Sequence, residues 1–181
     1  MVERLKEDYN IELEWRPYYL RPDTPPEGLE LPEYVKRARN NGSEERLLSI
    51  ARSHGMDFKS TERIYNTRLA HEATEYAREQ GKVLEFHKVV FRKVYVDGQD
   101  PSKWDVLRSA AEEVGLDADD MQQVVESNKY TEFVAEQVRW AQQVGVTGVP
   151  TYVINDRYAV VGAQPYEVFK NALEQIMNQK G

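Results

Sequence analysis

The chain contains three histidines, which are the side chains most able to hold a metal or move a proton. His54, His71 and His87 are at least 16 residues apart, whereas the ligands of a zinc site usually include two at short spacing. His71, Glu72 and Glu75 match half of a zinc-protease helix, but the second histidine that this motif needs is absent. The spacing therefore predicts no metal site, and His87, on an otherwise apolar helix, is interpreted as a core or boundary residue.

Nucleophiles are scarce. The chain contains no cysteine, so its own residues provide no thiolate for attack on a disulfide, and no structural disulfide forms. The serines have no nucleophile-elbow context, and no glycine-rich phosphate loop follows a predicted strand. These patterns give no support to a hydrolase triad or a nucleotide site.

The charge distribution argues against two classes of partner. The formal net charge of the 181 residues is −7 and no lysine–arginine cluster is present, so we expect no binding to nucleic acid or to an anionic membrane. No apolar run approaches the ~20 residues that span a bilayer. The charged N-terminal segment is not a signal peptide, and we expect a cytoplasmic protein.

The periodicity of hydropathy predicts the helices and strands that position the candidate site residues. A short helix over residues 1–9 is followed by a strand at Ile11–Trp15, where apolar and polar residues alternate. Helical spacing then dominates from about Pro32 to Gly145. A β-hairpin is predicted from 151–154 and 158–161. A last helix is predicted to follow, with a buried face formed by Val168, Phe169, Ala172, Leu173 and Ile176.

Polar residues mark the predicted helix starts. Ser43 is expected to be an N-cap, and Asn66 or Thr67 to cap the next long helix. Asp100 with Pro101 is typical of a cap followed by proline at the first helical position. Asp117, with Asp120 three residues later, resembles a capping box.

The segment 145–155, Gly-Val-Thr-Gly-Val-Pro-Thr-Tyr-Val-Ile-Asn, is the most specific motif in the sequence. It resembles the cis-proline loop of thioredoxin-fold proteins. Segments 14–23, 66–71 and 158–165 resemble the FrnE-like branch of the DsbA family of thiol–disulfide oxidoreductases. Hydroxychromene-carboxylate isomerases and kappa-class glutathione transferases share this architecture.

The resemblance implies an α/β thioredoxin-like fold with a large all-helical insertion. The thioredoxin-like domain would comprise residues 1–31 and 146–181, and the insertion residues 32–145. Family members begin with a strand and a Cys-x-x-Cys segment, and this sequence contains neither. We therefore expect the first core strand to be absent from the chain. A shortened sequence and a natural cysteine-free derivative both remain open as explanations.

The resemblance also implies a binding site. It predicts a cis Val149–Pro150 bond and a site for substrate or glutathione formed by Val149, Pro150, Thr151, Asn66 and His71. No catalytic residue, metal or obligatory cofactor is predicted in this chain. Glutathione is the one small molecule that the resemblance suggests as a ligand. Partners would be protein or peptide thiols or glutathione, and a complete chain lacking a central strand is expected to form homo-oligomers.

Three functions remain open at this point. The first is a protein of the disulfide oxidoreductase family without redox cysteines of its own in this chain. The second is a non-redox module that binds a peptide or glutathione, and the third is a glutathione-dependent enzyme similar to an isomerase. The adjacent Tyr18 and Tyr19 are interpreted as core residues, with a place in a pocket wall as the alternative.

Overall fold

A computed structural model of the chain describes residues 2–38, 44–53, 55–61 and 63–178. The expected cap Ser43 and the histidine His54 lie outside these residues. The helices are α1 (Val2–Asp8), α2 (Glu33–Ala38), α3 (Glu44–Ser53), α4 (Arg68–Glu79), α5 (Val83–Tyr95), α6 (Trp104–Glu113), α7 (Ala118–Glu126), α8 (Thr131–Gln143) and α9 (Tyr166–Asn178). The strands are β1 (Leu29–Glu30), β2 (Arg63–Ile64), β3 (Thr151–Ile154) and β4 (Tyr158–Val161). No helix in the described ranges is long and apolar enough to cross a membrane.

The chain divides into two compact units. Unit 1 combines Met1–Leu20 with Glu136–Gly181, and unit 2 is the continuous segment Arg21–Ala135. The two domains predicted from the sequence, with their boundaries at residues 31/32 and 145/146, stay a prediction.

Unit 1 is organised around the buried face of α9. Phe169 and Leu173 pack there against Leu5 of α1, and the Phe169 ring meets the Tyr152 ring edge-on at 4.7 Å. Val168, predicted on that face, is instead 41% exposed, because it lies about 100° round the helix from the buried Phe169. Strands β3 and β4 pair antiparallel in the register Thr151↔Val161. These bounds agree with the hairpin expected from the sequence.

Unit 2 has a helical core formed by α4 to α7. Small side chains on α4 allow close helix packing, and the fully buried Phe86, Leu107 and Met121 fill the space between the helices. The side chains that α4 contributes to this core include Ala70, Ala73, Tyr76 and Ala77.

The predicted strand at Ile11–Trp15 is wrong. The structure assigns no strand there, although the side chains keep the expected alternation, with Ile11 and Leu13 partly buried and Glu12 and Glu14 exposed. Hydropathy alternation determines which side faces the core, but a strand also needs a hydrogen-bonded neighbour, and this segment pairs with no described strand.

The segment expected to be all-helical contains one strand among its described residues. Strand β2 pairs antiparallel with β1, with Leu29 opposite Ile64 and Glu30 opposite Arg63. Gly28, which precedes β1, has φ +76°, and a Cβ there would lie 2.6 Å from the Ile64 carbonyl oxygen. Only glycine allows this close approach of the two backbones.

Two predicted helix starts also differ from the structure. Asp100 accepts a hydrogen bond from the Ser102 N–H, but α6 begins only at Trp104. Asp117 caps α7 by accepting from the N–H groups of Asp119 and Asp120. The Asp120 carboxylate, however, accepts from the Tyr76 hydroxyl at 2.6 Å instead of completing a capping box, and together with burial this contact raises the Tyr76 pKa.

Candidate functional site

The loop between α8 and β3 is fixed at its beginning by backbone and side-chain contacts. Gly145 has φ +83°, and the Val146 N–H donates to the Ala141 carbonyl at 2.8 Å, which ends α8. The Val146 carbonyl accepts a hydrogen bond from the Tyr18 hydroxyl at 3.1 Å. The loop therefore leaves the helix in a defined direction.

The end of the loop is held by the start of the hairpin. The Thr151 hydroxyl donates to the Gly148 carbonyl at 2.7 Å, and the Gly162 N–H donates to the Pro150 carbonyl at 2.8 Å. The sequence predicts a cis bond at Val149–Pro150, and this bond is cis in the structure. Val149 itself is 51% exposed.

Among the strands that the structure describes, β3 has a neighbour on one edge, β4, and none on the other edge, which lies beside this loop. Facing residues in an antiparallel pair alternate between exchanging hydrogen bonds and pointing their backbone groups away from the partner. The bond from Gly162 to Pro150 sets this alternation, so the N–H and C=O groups of Thr151 and Val153 point to the edge away from β4. No described strand occupies that edge, which leaves a row of donors and acceptors next to Val149.

The surface around the loop is apolar. Val161, opposite Thr151 in the register, is 59% exposed, and Val149 is similarly open. The Gln164 amide donates to the Val161 carbonyl at 2.9 Å and fixes the exit of β4.

Asn66 has a structural role at the start of α4. Its amide group donates to the Thr24 carbonyl at 2.6 Å, and its Oδ1 accepts from the Arg68 N–H at 3.0 Å. Thr67 occupies the N-cap position without a side-chain bond. Asn66 thus performs the capping that the sequence assigns to either residue.

Replacing Asn66 tests this role. We expect Asn66→Ala to lower the free energy of unfolding by about 1–2 kcal/mol. The substitution removes the side chain that caps α4, and it leaves the Thr24 carbonyl without its hydrogen-bond donor. Asn66→Asp keeps the acceptor for the Arg68 N–H but sets a carboxylate oxygen against the Thr24 carbonyl, so it should also lose stability. Urea titration followed by circular dichroism measures both, with the exposed Asn171→Ala as the control. Equal stability of all three variants would contradict the assignment.

The described histidines have different surroundings. His71 is half-buried on the first turn of α4, where its backbone N–H donates to the Thr67 carbonyl at 3.0 Å. His87 stacks 5.1 Å from the Phe91 ring, and burial lowers its pKa. Among the residues described, no three His, Asp or Glu side chains form a group suited to a metal.

The predicted site residues fall in both units. Val149, Pro150 and Thr151 are consecutive in unit 1, whereas Asn66 and His71 lie at the start of α4 in unit 2. That they form one site stays a prediction.

Sequence reasoning missed two residues that shape the loop. Tyr18 was interpreted as a core residue, yet its hydroxyl bonds to the Val146 carbonyl, and Gly162 supplies the N–H that meets Pro150. The phenol group of Tyr18 indicates that this position can form a hydrogen bond. Its partner Val146 is 128 residues away and cannot be predicted from the sequence pattern.

Comparisons with known proteins place this geometry in context. The sequence matches the DSBA-like thioredoxin domain family over residues 1–174. It is 28% identical over 174 residues to the uncharacterized protein YwbO of Bacillus subtilis (strain 168), covering 94% of this chain and 85% of that protein.

Two solved structures are similar in fold. A probable DsbA oxidoreductase from Streptomyces coelicolor superposes with a TM-score of 0.75 at 26% identity, covering 90% of this chain and 74% of the other. A 2-hydroxychromene-2-carboxylate isomerase has a TM-score of 0.75 at 20% identity, covering 99% and 88%, a likeness of fold alone.

Proposed function

The chain belongs to the DSBA-like thioredoxin domain family, and we propose that its β3 edge binds the backbone of an extended peptide thiol or of glutathione. Family membership and the match to a DsbA oxidoreductase confirm the thioredoxin-like fold class with a helical insertion. The proposed contribution to thiol–disulfide chemistry is to hold the substrate. Residues 1–181 contain no cysteine, so the attacking thiolate is not among them.

The edge of β3 that no described strand occupies is the observation that carries this proposal. A bound strand would accept hydrogen bonds from the Thr151 and Val153 N–H groups and donate to their carbonyls, as in β-strand addition. Val149, which is exposed next to this edge, would contact an apolar side chain of the bound strand. Affinity would then depend on the peptide backbone, and specificity would be modest.

The Thr151 hydroxyl provides a test because it fixes the loop to Gly148. We expect Thr151→Val to weaken binding of a short peptide containing S-methylcysteine by up to about fivefold. The loop loses the bond to Gly148 that orders it before binding, and ordering it on binding costs up to about 1 kcal/mol. The dissociation constant is measured by NMR titration, following the Val153 amide signal. The S-methyl group prevents redox exchange.

Matched controls separate backbone binding from unspecific contact. Thr147→Val makes the same change at an exposed position of the loop and should leave the affinity unchanged. The same peptide with N-methylated amides should bind more weakly, and S-methylglutathione distinguishes the two ligand classes. Titration shifts that spare the Thr151 and Val153 amides would refute the proposal.

A further inference from the structure

Helix α5 carries a row of aromatic side chains outside the core of unit 2. His87, Phe91 and Tyr95 follow one another at four-residue spacing, and their ring centroids are 5.1 and 4.7 Å apart. Phe58 extends the row, with its ring 5.6 Å from that of Tyr95. We call these four side chains the aromatic row.

The aromatic row is distinct from the buried face of α5. Phe86 and Val94 lie in the core of unit 2 at 0% and 8% exposure, whereas Phe91 is 44% and Tyr95 is 38% exposed. A surface helix usually presents one apolar stripe to the core and polar residues elsewhere. The second stripe on α5 is therefore apolar surface left in contact with water, a feature typical of interaction sites.

Basic residues lie along one side of the aromatic row. Lys88 and Arg92 each follow a row residue by one position, about 100° further round the helix, and both are exposed. At the end of the helix, the Lys59 N–H donates to the Tyr95 carbonyl at 2.6 Å, which places Lys59 beside the row. Arg92 is paired with Glu113 at 2.6 Å, so Lys88 and Lys59 provide most of the positive charge.

This local charge contrasts with the rest of the protein. The whole chain has a net charge of −7, but α5 contains Lys88, Arg92 and Lys93 against the single acid Glu85. Lys93 is buried and donates to the Ser109 hydroxyl, so it does not add to the surface charge. An apolar stripe with a basic margin complements a segment in which apolar and acidic side chains lie side by side.

We propose that the aromatic row of α5 binds a peptide segment of a partner protein that combines apolar side chains with aspartate or glutamate. The apolar side chains would cover Phe91 and Tyr95, and the acids would meet Lys88 and Lys59. A second copy of this chain fits less well, because a symmetric contact of two rows places Lys88 and Lys59 next to their own like charges. This inference is independent of the β3 edge.

The probe is a short fluorescein-labelled peptide of leucine, phenylalanine and glutamate, measured by fluorescence anisotropy with the full chain. We expect saturable binding that weakens as salt is added. Phe91→Ser should weaken it about tenfold, as for an aromatic residue at the centre of an interface. Lys88→Glu should weaken binding of the peptide severalfold. Because Lys88 is exposed, this variant should fold normally, and it keeps the test valid if Phe91→Ser folds poorly.

Two controls and light scattering complete the experiment. Lys6→Glu makes the same charge change on α1 in unit 1 and should leave binding unchanged. A peptide with lysine in place of glutamate should bind weakly. Equal binding of the acidic and basic peptides, or affinity unaffected by both Phe91→Ser and Lys88→Glu, would overturn the proposal. A dimer that Phe91→Ser dissociates would also overturn it, in favour of self-association.

Discussion

Residues 1–181, purified as one chain, are expected to reduce insulin disulfides no faster than buffer alone, and to oxidise no dithiol substrate. Thiol–disulfide exchange begins when a thiolate attacks a disulfide sulfur and forms a mixed disulfide. The chain has no cysteine, and serine, lysine and histidine do not form the sulfur–sulfur bond that this step requires. Dithiothreitol added at the end of the assay verifies that the insulin is reducible.

Contamination is the main source of a false result in this assay. Mass spectrometry of the same sample should therefore exclude copurified oxidoreductases, and pretreatment with a thiol-alkylating reagent should leave the chain unmodified. Disulfide reduction that persists after both checks would show that the reasoning is wrong. Weak binding of the S-methylcysteine peptide by the same sample would remain fully compatible with an inactive chain.

The largest loss of stability is expected from replacing Glu72. Its side chain is 1% exposed, and it accepts hydrogen bonds from the Arg68 guanidinium at 3.0 and 3.3 Å and from the Thr131 hydroxyl at 3.0 Å. Glu72 thus joins the start of α4 to the first residue of α8. Glu72→Gln removes the charge and places an amide N–H₂ group against the donors of Arg68 and Thr131. We therefore expect the free energy of unfolding to fall by about 2–4 kcal/mol.

A double-mutant cycle separates the ion pair from the other contacts of Glu72. Arg68 is half exposed, so Arg68→Ala alone should cost less than Glu72→Gln, and the double variant should cost less than the sum. Glu112→Gln on the exposed face of α6 is the matched control and should change stability little. Strict additivity of the two single changes in urea titrations would show that Glu72 and Arg68 do not interact.

Much of the fold follows from short-range patterns. The hairpin bounds agree with the prediction because each strand is a short run of β-prone residues bounded by turn residues. Helix α8 ends before Gly145, which adopts φ +83°. The wrong predictions concern which segments pair as strands. Ile11–Trp15 has a strand pattern but no described neighbour, and two-residue strands such as β1 and β2 are too short to show a period.

The candidate site was predictable only in part, for a similar reason. The loop Val149–Pro150 is a contiguous motif, so its position could be read from the sequence. The contact from Tyr18 to Val146 joins residues that are far apart in the chain. Such a contact cannot be predicted from local patterns in a single sequence. The same limit explains Asn66, whose second bond reaches the Thr24 carbonyl.

The division of the chain into units has a consequence for its synthesis. Unit 2 is one continuous segment, Arg21–Ala135, whereas unit 1 needs residues from both sides of it. On the ribosome the helical unit is complete first, while residues 1–20 wait for the segment that begins at Glu136. At the usual pace of translation that interval is roughly 6–23 s. The order of emergence therefore favours a helical unit that folds early, and a N-terminal segment that depends on the last part of the chain to be made.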